Sequence, residues 1–140
     1  MSKGSSAGIS FGPNSSGKMY ISVFYHRMTG KRYRKNTWCA TVSPSMEYDI
    51  FCTADDGSWQ DSHGHYWGLR AGGATQLGSR GERLCKFPCT SNVSDPWHGF
   101  PVSPMYEGDK DAPSDDFVER WIDMGIVSKT IGRRIQRRKI

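Results

Sequence analysis

The segment Asp61-Ser62-His63-Gly64-His65 is the densest cluster of chemistry-bearing residues in the chain. If it is extended, residues two apart share a face, and Asp61, His63 and His65 converge on one side. Two imidazoles and a carboxylate suit a divalent metal such as zinc, with positions left open for water or substrate. His98, inside Asp95-Pro96-Trp97-His98-Gly99, offers a further group. Without a metal, His63 or His65 paired with His98 would form a general acid and base, with Arg70, Arg80 or Lys86 as a charge clamp. Either arrangement describes a hydrolase or nuclease centred on His63, His65 and His98. Against it, Gly64 weakens any strand, and the neighbouring Tyr66-Trp67 points to hydrogen-bonded structural histidines. The balance leans away from an enzyme, and no cofactor is required.

Cys85 and Cys89 bracket Lys86-Phe87-Pro88. This C-x3-C spacing can hold zinc, although zinc pairs more often use C-x2-C, usually twice. Cys39 and Cys52 read as small core residues. Three other patterns fail at a decisive position. Gly73-x4-Gly78-Ser79-Arg80 has Ser79 where a phosphate loop needs lysine. Gly78-Ser79-Arg80-Gly81 lacks the flanking helices that a KH-type GxxG loop requires. Glu107-x-Asp109-x-Asp111 begins like a calcium loop but has Ala112 at the turn glycine and Val118 at the bidentate glutamate.

Charge is the strongest global signal. Residues 126–140 carry Lys129, Arg133, Arg134, Arg137, Arg138 and Lys139 with no acid, against a net charge of +5 for all 140 residues. The first 125 residues therefore hold 13 basic and 14 acidic side chains. Charge segregated in this way marks an anionic partner. Residues 27–35 add Arg27, Lys31, Arg32, Arg34 and Lys35 around Tyr33, a mixture suited to phosphate contact with base stacking. The competing reading is internal neutralisation by the acids of 107–123.

These groups must be positioned by local structure. Residues 1–17 are Gly- and Ser-rich and read as a flexible arm with a short strand at 9–11; 18–140 read as one domain. Alternating apolar and polar residues predict strands over 18–27 and 32–43, joined by a turn at Met28-Thr29-Gly30-Lys31. Residues 47–53 (EYDIFCT) read as a third strand, and 66–70 and 83–87 as short ones. Four prolines between 91 and 113 argue for an ordered loop packed by Trp97, Phe100 and Tyr106. Pro113-Ser114-Asp115-Asp116 is a helix start, and Gly125 a helix stop. Ser128 caps a second helix with a Val127, Ile131, Ile135 stripe. Helices are thus expected at about 114–124 and 128–138.

The predicted class is α+β: an antiparallel sheet of about 4–6 short strands, Gly/Pro-rich loops and a C-terminal helical hairpin. That hairpin partly matches a helix-turn-helix, but Trp121 occupies the position four before the turn glycine, where close helix crossing demands a small residue. No stretch reaches the length of a membrane span, and residues 1–17 lack the apolar core of a secretory signal. The chain is expected to be cytoplasmic, with reduced thiols and no membrane partner. The leading expectation is a binding module for an anionic macromolecule, above all nucleic acid backbone, through Lys129, Arg133, Arg134, Arg137 and Arg138. Arg32, Arg34 and Lys35 form a second contact. A protein-binding inhibitor or adaptor using residues 97–101 or 107–116 is the third class.

Overall fold

The computed structural model describes residues 2–4, 8–27 and 36–140. Two antiparallel three-stranded sheets and a set of helices share one core, an α+β architecture. The first sheet runs β1 (Ser2–Gly4), β2 (Gly8–Phe11) and β3 (Tyr20–Val23); the second runs β4 (Tyr66–Gly68), β5 (Leu84–Phe87) and β6 (Phe100–Val102). The strand expected at 9–11 pairs with β3 in register Phe11↔Tyr20. Pro101 lies in β6, at the edge of its sheet, where a missing amide costs no ladder hydrogen bond. Among the described residues no helix is long and apolar enough to cross a membrane.

The expected strand at 47–53 is instead the middle of α1 (Pro44–Asp56). Ser43 caps this helix by accepting from the amide of Met46, and Pro44 takes the first position, where an amide would be unpaired anyway. Glu47, Ile50, Phe51 and Ala54 are its buried positions, the i, i+3, i+4, i+7 pattern of a helix. The second expected strand also fails. Residues 36–43 form only isolated bridges through Trp38 and then a turn, and 28–35, including the turn at Met28, lie outside the described residues. The first strand is shorter than expected and passes into a 3-10 turn at Phe24–His26. The proline-rich stretch is more regular than expected, containing β6, α2 (Pro104–Glu107) and a 3-10 turn at Gly108–Asp111. Trp97 anchors it in the core, whereas Tyr106 stays half-exposed beneath the Arg80 guanidinium.

The two C-terminal helices stand where the sequence put them: α3 (Asp115–Asp123), capped by Ser114, and α4 (Lys129–Gln136), capped by Ser128. Between them the amides of Gly125 and Ile126 bond back to the carbonyls of Ile122 and Trp121, a Schellman motif closed by glycine at φ 75°. Close packing of the pair comes from α4. A Cβ on Gly132 would stand 2.5 Å from Ile122 Cδ1, so this glycine, not the residue at 121, supplies the small position. Trp121 is fully buried and meets Trp59 edge-on at 5.5 Å.

The core includes a buried carboxylate. Glu47 is 0% exposed and accepts from the Tyr20 hydroxyl at 2.8 Å and the Ser22 hydroxyl at 2.7 Å. Arg27 closes the network with its guanidinium 2.5 Å from Glu47 Oε2. Burial pushes the Glu47 carboxyl above its ordinary range, against the opposing pull of these donors. It likewise drives up the Tyr20 hydroxyl and the Cys85 thiol, each raised further by the Glu47 charge.

Candidate nucleic-acid interface and the histidine groove

One face of α4 is buried through Gly132 and Ile135, with Val127 ahead of it and Ile131 half-buried. The opposite side carries Lys129, Arg134 and Arg137, all exposed, followed by exposed Lys139. The basic residues of this segment fall into two groups. Arg133 pairs with Glu119 of α3, and Gln136 donates to the same carboxylate at 2.7 Å. This holds the Glu119 carboxyl below its usual range through the Arg133 and Gln136 hydrogen bonds, with Lys129 adding to the field. Arg138 pairs with Asp109 and also donates to the carbonyls of Ile135 and Gln136. By contrast, Lys129, Arg134, Arg137 and Lys139 make no ion pair among the described residues. Internal neutralisation by 107–123 therefore reaches two of the six cations. Arg32, Arg34 and Lys35 lie outside the described residues. Arg27 is committed to Glu47, a role its sequence gave no sign of.

The histidines divide as well. Asp61-Ser62-His63-Gly64-His65 is a tight turn and not an extended strand. Asp61 Oδ1 accepts from the amides of His63 at 2.8 Å and His65 at 3.0 Å, while Oδ2 accepts from Trp67 Nε1 at 2.9 Å. Gly64 takes φ 87°, the left-handed backbone this turn needs. The Asp61 carboxylate is thus spent on shaping the loop. The His63 and His65 rings stand 6.4 Å apart. His98 stacks instead on His26, with ring centroids 6.0 Å apart and planes 9° off parallel. Among the described residues, no three His, Cys, Asp or Glu side chains are grouped to hold a metal ion. Cys85 is buried and Cys89 exposed, so the C-x3-C pair presents no common site, and all four cysteines are free thiols.

His65 is held in one tautomer. Its Nδ1 accepts from the amide of Cys89 at 2.9 Å, which leaves the neutral ring its proton on Nε2. Burial lowers its pKa, and the neighbouring Lys86 and His63 add to this against the pull of Asp61. His26 and His98 are lowered by burial too. His65 is therefore a donor at neutral pH and a poor general base.

His63, His65 and Asp61 line a groove of about 350 Å³ together with Lys86, Lys110 and Arg138. Lys86 comes from β5 and sits 5.4 Å above the Trp67 ring, 3.3 Å from Asp111. The sequence offered Lys86 as a clamp for the histidines. It gave no sign of Lys110 or of Arg138 in this role, because neither is near them in the chain. Comparison with known proteins finds no match to a family model, to a curated protein or to a solved structure, so this surface is read from its own geometry.

Proposed function

We propose that the chain is a small cytoplasmic binding module for nucleic acid, which it engages through the phosphate backbone. The observation that carries this reading is the split in the basic segment: Lys129, Arg134, Arg137 and Lys139 project from α4 and its end with no ion-pair partner among the described residues, while Arg133 and Arg138 are tied to acids. A rigid helix capped at Ser128 and buried along its other face presents these cations at fixed spacing. Arg32, Arg34 and Lys35 provide a second contact. The four free thiols fit a reducing compartment.

Binding of this kind follows the phosphate and not the bases, so sequence preference is weak and salt dependence steep. Four phosphate contacts to a duplex give a slope of about −3.6 in log affinity against log salt. Titrating the protein into single- and double-stranded oligonucleotides over a salt series tests this; affinity indifferent to salt would rule it out.

A further inference from the structure

The groove at the end of α4 brings together groups from four separate parts of the chain. The loop at 61–65 supplies His63 and His65, β5 supplies Lys86, the 3-10 turn supplies Lys110, and the residue after the α4 cap supplies Arg138. We infer that this groove is a binding site for one phosphate group, carried by the nucleic acid that α4 attracts. The inference deepens the reading above and rests on it for the source of the phosphate.

Three features make the groove suited to an anion. First, its acids are the weaker half of the lining. Both oxygens of Asp61 are engaged by three N–H donors of its own loop, whose dipoles offset part of its charge. Asp109 has a side chain 90% exposed, and its hold on Arg138 is a surface ion pair that a phosphate displaces at little cost. Second, the donors are oriented. The Cys89 amide fixes His65 with Nε2–H as its donor, and Lys86 is braced between Trp67 and Asp111. Lys110 has no ion-pair partner among the described residues.

Third, Arg138 occupies a backbone position that favours glycine. Its φ is 58°, at the residue where the amides of Arg138 and Lys139 close a Schellman motif onto Ile135 and Arg134. The equivalent residue after α3 is Gly125, at φ 75°. A non-glycine residue in left-handed conformation is strained, and such strain is retained where the side chain is needed. Here the side chain reaches into the groove. A volume of about 350 Å³ holds a phosphate with the sugar attached to it.

The test uses the C2–H proton resonances of the four histidines in the intact protein, assigned by single His→Gln variants. Inorganic phosphate at neutral pH should move His63 and His65 and leave His26 and His98 in place. Arg138→Gly accepts the backbone geometry, so the fold persists while phosphate affinity drops about tenfold or more. Lys110→Gln, at an exposed position, should weaken binding in the same direction. Uniform movement of all four histidines, or no movement, overturns the site, as does unchanged affinity in both variants.

A 5′-phosphorylated oligonucleotide and its unphosphorylated twin then identify the source. Shifts at His63 and His65 with both strands assign a backbone diester, and shifts with the phosphorylated strand alone assign a terminal monoester. Oligonucleotide binding that leaves both resonances still refutes the groove and spares the α4 interface. Phosphate binding without any oligonucleotide affinity does the reverse.

Discussion

The amide of Cys89 donates to Nδ1 of His65 at 2.9 Å, and this one bond decides what the imidazole can do. A ring whose Nδ1 lone pair is occupied presents an N–H to the groove, and protonating it breaks the bond. His65 is consequently better suited to holding an anion than to exchanging protons with it.

Acid should destabilise the fold through these rings. His26, His65 and His98 all have pKa values lowered by burial. A depressed value in the folded state means that the unfolded chain takes up protons first. Stability is therefore full above the unfolded value near pH 6.5 and falls as pH drops through the folded values. Glu47, raised by burial, acts with the opposite sign, regaining stability as its carboxyl is protonated. The melting temperature should fall as pH drops below about 6.5, and fall less in His98→Gln, which removes one of the three groups.

The buried pair Arg27–Glu47 should be intolerant of half-removal. With Glu47 inaccessible to water and the Arg27 guanidinium against it, either single alanine substitution strands a charge in the core. Glu47→Ala and Arg27→Ala are each expected to cost about 3–5 kcal/mol in urea denaturation. The double substitution should cost clearly less than the sum.

Gly132 sets the separation of α3 and α4. A methyl group there meets Ile122 Cδ1 at 2.5 Å and Cγ1 at 2.6 Å. Helix propensity favours Gly132→Ala by about 1 kcal/mol, but overpacking costs about 1–3 kcal/mol. A net loss of stability in denaturant is expected, and a gain would show that the helices do not pack through this residue.

Much of the C-terminal architecture was legible because its signals are local. Ser114 and Ser128 as caps, Gly125 as the stop and the Val127, Ile131, Ile135 stripe act within one or two turns of chain. The misreading of 47–53 has an equally physical cause. Tyr48, Ile50, Phe51 and Thr53 favour strands individually, and the helical pattern emerges only if Glu47 is counted as an inward position. A carboxylate disguises that position until Tyr20, Ser22 and Arg27 are seen to satisfy it. The same limit applies to the groove. His63 and His65 were visible as a motif, but the side-chain bonds of Asp61 that fold the motif into a turn were not. Nor does sequence spacing place Lys110 and Arg138 beside residues so distant along the chain.

Phosphate tracking by the exposed cations of α4 is the basis of the proposed binding. Its most direct test is oligonucleotide anisotropy across a salt series, comparing the intact chain with the double variant Arg134→Gln/Arg137→Gln. These two arginines are chosen because neither pairs with an acid among the described residues, unlike Arg133 and Arg138. Steep salt dependence in the intact chain, with the duplex slope reduced by about 1.8 in the variant, is the expected result. No binding at low salt, or binding whose slope the variant leaves unchanged, would contradict it.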